Sequence, residues 1–342
     1  MRSDERIKRV LAGKIPDRVP ICEVSFWPKT IERWKKEGLP EDVDVYEYLE
    51  MDRITIFYYN SGFYPETKIL DERDEYYVFI DNYGKKVKDW KPNSPNYGVP
   101  YVIEYPLKSK EDWDRMKQYL NPDEKRIPEN IVDTFLKVKE RGDFTALTIE
   151  EPAWFVLERT FGFENGLPLF IENKELILEI MEKVTEFNLE MCKMVLNKGV
   201  RIDTLWIWSD LCYKNGMFFS PEIFKELVIP CHQRIKKFCK EHGLFLIFHC
   251  DGYVKEIIPL LIEVGVDAIQ PLEARCGNDV REYKKIFGDK ITLFGNISAE
   301  VLSSDRERIK EEIKRKVGIA MENGRYIFHS DHSVPHTVSL KN

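Results

Sequence analysis

One pattern recurs six times between residues 130 and 328: a helical stretch ends in glycine, and an apolar run follows within a few residues. Gly142 precedes 144–149, Gly199 precedes 204–208, Gly243 precedes 244–248, Gly265 precedes 266–269, Gly288 precedes 291–294 and Gly324 precedes 326–328. A glycine just past a helix supplies the left-handed residue that ends it. The apolar runs are too short for helices and lack the alternation of a half-exposed strand. They read as strands covered on both faces. Strands alternating with helices in this way are joined by right-handed crossovers into a parallel sheet. Two more strands are expected at 54–59 and at 19–24, where Pro20 is tolerable only near the start. Eight such strands imply an α/β chain folded as a single (β/α)8 TIM-type barrel over residues 1–342. No GxGxxG follows the first strand, which argues against an open doubly wound sheet.

Helix starts support this phasing. Ser220-Pro221-Glu222 offers a capping hydroxyl, a proline for the first turn and an acid for the positive end of the dipole. Asn173 and Asn278 are similar capping candidates. Residues 64–107 break the pattern. There 75–80, Asp81-Asn82-Tyr83-Gly84 and 85–90 read as a β-hairpin, followed by a Pro-rich stretch from Pro92 to Pro106. This region is expected as an insertion after the second strand. Its aromatics should mainly pack against the body, with a lid or pocket wall as the alternative.

In barrels of this kind the active site lies at the C-terminal ends of the strands. Those ends carry Glu150-Glu151-Pro152, Ser209-Asp210, His249-Cys250-Asp251, Gln270-Pro271-Leu272-Glu273, Gly295-Asn296 and His329-Ser330-Asp331-His332. A structural barrel has no need of acids, amides and imidazoles at so many strand ends, so an enzyme is expected. His249 and Asp251, two apart on extended chain, point the same way. With His332 they are candidate ligands for zinc or another divalent metal, with one position left open. They equally form the two-histidine, one-carboxylate set of non-haem iron. Without a metal, the same groups would bond loops or hold a substrate carboxylate. Cys250 points the opposite way and is expected to be buried. Cys276 falls in the loop after the sixth strand. Of the adjacent Glu150 and Glu151, at most one can enter the mouth. Asp210, Glu150 and Asn296 are the candidate catalytic residues, and Glu23, Trp27, Glu273, His329 and Asp331 the candidate substrate-binding ones. His232 and His242 are expected at the surface and His336 in the tail.

Composition narrows the function classes. The net charge is −7, and the Lys and Glu that dominate the 32% charged residues are mixed along the chain, so no basic face is offered to nucleic acid. No apolar run approaches the ~20 residues of a membrane span, and no signal peptide is recognisable, so a cytoplasmic location is expected. The seven cysteines form no CxxC pair, which fits free thiols better than a disulfide frame.

Several short stretches resemble the uroporphyrinogen decarboxylase superfamily: Gly13-Lys14-Ile15-Pro16-Asp17-Arg18-Val19-Pro20, Ser220-Pro221-Glu222-Ile223-Phe224, Phe248-His249-Cys250-Asp251-Gly252, Phe294-Gly295-Asn296-Ile297 and Asp331-His332-Ser333-Val334-Pro335. The resemblance implies a (β/α)8 barrel and two branches of function. True uroporphyrinogen decarboxylases use no cofactor and carry an arginine-bearing run after the first strand. Here the matching stretch is Cys22-Glu23-Val24-Ser25-Phe26-Trp27-Pro28, which contains an acid and no arginine. The other branch resembles corrinoid-dependent methyltransferases, whose zinc is held by a His-x-Cys pair and a later Cys. His249-x-Asp251 falls on that pair and His332 on the later Cys, so both thiolates are replaced. A metal held by imidazole and carboxylate keeps more positive charge. It should acidify a bound thiol or water strongly while leaving a thiolate less nucleophilic.

The resemblance thus implies a methyltransferase-like enzyme moving a methyl group between a small molecule and a corrinoid or thiol. The alternatives are a decarboxylase, in which Asp210, His332 and a tyrosine bind substrate, and a non-catalytic subunit that docks a corrinoid protein. Expected partners are a small-molecule substrate, with a corrinoid protein and a second copy of the chain as candidates. With no arginine between Ile21 and Lys29, the protein is expected not to decarboxylate uroporphyrinogen at a useful rate. Robust anaerobic turnover to coproporphyrinogen would move the assignment to the decarboxylase branch.

Overall fold

The computed structural model describes residues 1–91, 94 and 100–342. Its body is a curled parallel sheet of seven strands in the order Ile54–Phe57, Phe144–Glu150, Thr204–Trp208, Phe245–Cys250, Ala268–Pro271, Thr292–Phe294 and Tyr326–Ile327. Helices lie between the strands in sequence, giving a TIM-like α/β fold. Because parallel neighbours share register, side chains segregate into two sets. Phe144, Ala146, Trp206, Ile247, Ala268, Phe294 and Ile327 form an inner apolar plug. Leu147, Ile149, Leu205, Ile207, Phe248 and Ile269 face outward and join the larger core under the helices. Each large side chain fully buried this way contributes about 1.5–3 kcal/mol. Cys250 belongs to the outer set and is fully buried, as its parity implied.

The eighth strand, expected at 19–24, is reduced to isolated parallel bridges, Ile21 with Phe328 and Phe26 with Val334. The cause is local. Pro20 has no N–H, and neighbouring donors are taken by side chains. Ile21 N–H donates to Asp52 Oδ2 at 3.0 Å and Val24 N–H to His329 Nε2 at 3.1 Å. The segment still links its neighbours on both sides: Cys22 N–H donates to Phe328 O at 2.9 Å, and Asp52 N–H to Ile21 O at 2.7 Å.

The insertion is larger than a hairpin. It is a four-stranded antiparallel sheet of Lys68–Glu72, Tyr76–Ile80, Lys86–Trp90 and Tyr101–Glu104, with the expected hairpin as its centre. Of the expected Pro-rich stretch, 92–93 and 95–99 lie outside the described residues. Five of the six helix-ending glycines are left-handed, and Gly288 is not, with φ −66°. Ser220 and Asn173 cap as expected, accepting from Ile223 N–H and Leu176 N–H. Asn278 does not, because Asp279 caps Val280–Phe287 instead. Among the described residues no helix is long and apolar enough to cross a membrane.

Gly252 closes the turn after Asp251 at φ +86°, where an added Cβ would meet the backbone of Cys212 and Tyr213 at 2.8 Å. A left-handed non-glycine residue costs about 1–2 kcal/mol before any clash. Gly252→Ala is therefore expected to lower the Tm in thermal melts. It should also weaken any ligand held by Asp251, because the clash is relieved only by moving that turn.

Candidate active site

Register builds the site. Glu150, Trp208, His249 and Gln270 are successive Cα partners on four adjacent strands, so they form one row above the apolar plug. At its centre the Trp208 ring lies against His249, with centroids 4.2 Å apart. His249 Nδ1–H donates to Gln270 Oε1 at 2.6 Å, which leaves Nε2 with its lone pair free. That nitrogen is 3.6 Å from Asp210 Oδ1. Asp210 in turn accepts from Asp251 N–H at 3.0 Å. One ligand atom from each of Asp210, His249 and Asp251 lies within 4.8 Å of the others.

This set fits a divalent cation. Asp251 Oδ1 is buried with no hydrogen-bond partner, an arrangement that normally costs a few kcal/mol. Burial and the neighbouring acids Asp210 and Glu273 push the Asp251 carboxyl up, against the pull of His249 and His332. The cluster is short of positive charge, and the Gln270–His249 bond is the kind of support that fixes a ligand's tautomer. His332 lines the same cavity of about 270 Å³, together with His329 and Trp208, but stands outside the group of three. His249 and His332 thus share one mouth, and Asp210, singled out as a catalytic acid, stands where a third ligand would.

The other candidates divide. Trp27 is half-exposed, lines a neighbouring cavity with Arg275 and His332, and stacks on His336. Glu273 lines the cavity it shares with Asp210, Asp251 and Cys276. Burial alone would raise its carboxyl, but the Cys276 thiol, Gly252 N–H and Arg275 hold it below the usual range. Asp331 also borders a cavity, yet both its oxygens are spent on backbone, accepting from Ala274 N–H at 2.9 Å and Ala299 N–H at 2.8 Å.

Two candidates are enclosed by their surroundings. Asn296 is fully buried and lines none of these cavities. Its amide donates to Leu272 O and Asn278 O and accepts from Val280 N–H, so its side chain ties down the 272–280 segment. Glu23 is buried and holds the chain together: it accepts from Ser330 N–H at 2.7 Å and Ser330 Oγ–H at 2.8 Å, and lies 3.4 Å from His329 Nε2. Glu150 does border a cavity, but its carboxylate is engaged by Ser61, Tyr83 and Arg159. Glu151 turns away, as adjacent parity requires. It meets His232 at 2.8 Å with both side chains fully buried, so His232 is a core residue and not a surface one. His242 is exposed.

Sequence reasoning placed Gln270 at a strand end without giving it a role, and gave none to Trp208, Arg159 or Tyr83. Trp208 and Gln270 shared the register row with His249, a signal available once the strands were phased. Arg159 comes from a widened π-helical turn at Phe155–Phe161, and such turns recur at functional sites. Nothing in the local sequence marks it.

A seven-stranded TIM-like sheet with acids and imidazoles at its C-terminal mouth defines an α/β-barrel type of enzyme scaffold. A family model described as uroporphyrinogen decarboxylase (URO-D) matches residues 92–342, and the chain belongs to that family of enzymes. It is 24% identical over 248 residues to a uroporphyrinogen decarboxylase of Rickettsia bellii, covering 67% of this chain and 66% of that one. It is 30% identical over 107 residues to a methylcobamide:CoM methyltransferase of Methanosarcina barkeri, covering 31% of this chain and 29% of that one. The chain therefore spans less than two thirds of the length of these curated relatives. A methyltransferase structure from Methanosarcina mazei shares the fold, with a TM-score of 0.65 at 15% identity over 98% of this chain and 94% of that one.

The clasp around Glu23 makes stability depend on pH. Burial pushes the Glu23 carboxyl up to about 8, although the Ser330 donors favour its ionised form. Burial holds His329 down at about 4. The folded state therefore keeps a proton on Glu23 that the unfolded chain loses near pH ~4.3, and this contribution to stability is lost as pH rises toward 8. His329 acts with the opposite sign, its contribution being lost as pH falls from about 6.5 to 4, so above pH ~6.5 Glu23 acts alone. Glu23→Gln is expected to flatten the fall in Tm between about pH 6.5 and 8.5. Parallel slopes for wild type and variant would refute the assignment.

Proposed function

We propose that this chain is a methyltransferase-like member of its family, moving a methyl group between a small molecule and a corrinoid or thiol at a divalent metal. The observation that carries the reading is the orphaned, buried Asp251 Oδ1 beside His249 Nε2 and Asp210. Asp210, His249 and Asp251 would hold the metal, with His332 on the same cavity as the alternative third ligand. A bound zinc supplies a Lewis acid that lowers the pKa of a thiol or water. The chain's own residues do the rest. Gln270 fixes the His249 tautomer, Trp208 excludes water from one face of the imidazole, and Asp210 positions the Asp251 backbone. Similarity to a methylcobamide-using relative supports the corrinoid as donor or acceptor. The shortage of thiolate ligands leaves the acceptor's class open to a protein-borne corrinoid.

Metal affinity tests the reading directly. After chelation, wild type is expected to take up zinc, cobalt(II) or iron(II). Asp251→Ala and Asp210→Ala should lose that metal, and Gln270→Leu should weaken it about 10–100-fold. Loss in His332→Ala but not in Asp210→Ala would exchange the third ligand. Wild type that stays metal-free in excess of all three ions, or Asp251→Ala that binds as tightly as wild type, would make the site an organic-acid pocket. The cofactor-free decarboxylase reading would then replace this one. Methylcobalamin consumption by metal-loaded protein, absent in Asp251→Ala, is the matching activity readout.

A further inference from the structure

At the other end of the register row lies a second cavity, of about 380 Å³, walled in part by Tyr58, Ser61, Tyr83, Glu150, Arg159 and Trp208. Trp208 also lines the cavity of His249 and Asp251, so one indole separates the two. The insertion supplies Tyr83 from the turn between Tyr76–Ile80 and Lys86–Trp90. The Tyr83 hydroxyl and Ser61 Oγ both donate to Glu150 Oε1, and Arg159 Nε donates to Glu150 Oε2 at 3.3 Å. Arg159 Nη1 is taken by Glu158, whose other oxygen accepts from Lys85 Nζ at 2.8 Å. Arg159 Nη2 has no partner among the described residues. The acid of this cluster is saturated, and the unspent group is a guanidinium N–H pair.

We propose that this cavity is the recognition subsite for a small organic acid: Arg159, oriented by Glu150 and Tyr83, takes the carboxylate, and Trp208 carries the body of the molecule toward His249. A guanidinium edge suits a planar carboxylate. The tyrosines could instead suit a quaternary ammonium ion, but the Arg159 guanidinium already stands over the Tyr83 ring at 4.8 Å, so a second cation is disfavoured. Glu150 and His249 are two strands apart in the row, about 10 Å. The acid therefore has one ring, or a chain of similar length, between its carboxylate and its reacting end. Only the reaction at that end rests on the methyl-transfer reading; binding at Arg159 does not.

Calorimetric titration of the intact, metal-free protein tests this. The probes are para-methoxybenzoate, its amide, para-methoxyphenyl-trimethylammonium and hexanoate. Wild type is expected to prefer the acids over the amide and the cation. Arg159→Met should weaken the acids about tenfold or more and erase their preference over the amide, with partial recovery in Arg159→Lys. Tyr83→Phe, which leaves Ser61 and Arg159 on Glu150, should reduce the preference a few-fold and guards against misfolding of the arginine variants. Asp251→Ala should keep acid binding, so a failed metal site and a failed acid site are told apart. No binding of either acid to wild type, tighter binding of the cation, or an unchanged acid-to-amide ratio in Arg159→Met would overturn the proposal.

Discussion

The site depends on parallel register. Because Glu150, Trp208, His249 and Gln270 are Cα partners, a single choice of pairing sets which side chains rise from the plug together. A slip by one residue would turn His249 toward the helices and bring Cys250 inward. The outer core opposes that slip, since Leu246 and Phe248 would both be expelled from it. The apolar packing that stabilises the sheet is therefore also what aims its chemistry.

Polar groups at the rim divide into those that aim others and those left unspent. Asp331 receives two backbone N–H groups, Glu23 fastens Ser330, and Asn296 makes three bonds to the backbone of the 272–280 segment. Their hydrogen bonds are complete, which makes them parts of the frame. Asp251 Oδ1 is buried and incomplete beside its cavity, and Arg159, a partly exposed side chain, borders another with donors to spare. A buried polar group without a partner calls for an explanation; at Asp251 the adjoining cavity and the neighbouring His249 and Asp210 offer one that the enclosed His232 Nδ1 and Trp206 Nε1 lack.

The repeat of glycine-ended helices and apolar runs made the strands from 144 to 328 legible, along with the level at which their ends meet. His249, Asp251 and His332 could be read as neighbours because strand parity and barrel topology fix direction as well as position. The strand at 19–24 was misread because hydrophobic runs say nothing of where backbone donors go, and Asp52 and His329, distant in sequence, take them. His232 was misread because its partner, Glu151, lies 81 positions away. The filled bonds of Asn296 and Glu23 were illegible for the same reason: a polar residue at a strand end is identical in sequence whether its bonds are filled or free.

The seam between residues 20–34 and 328–338 joins parts of the chain some 300 positions apart. Val24 meets His329 across 305 positions, and Trp34 donates to Val338 O across 304. Closing so long a loop earns its contacts only once both sides exist. On the ribosome, the Glu150–His249 side of the mouth can assemble while the wall that holds His329 and His332 is still unmade. The pocket is thus completed only after residues 328–338 have been made, and until then the mouth is an open trough.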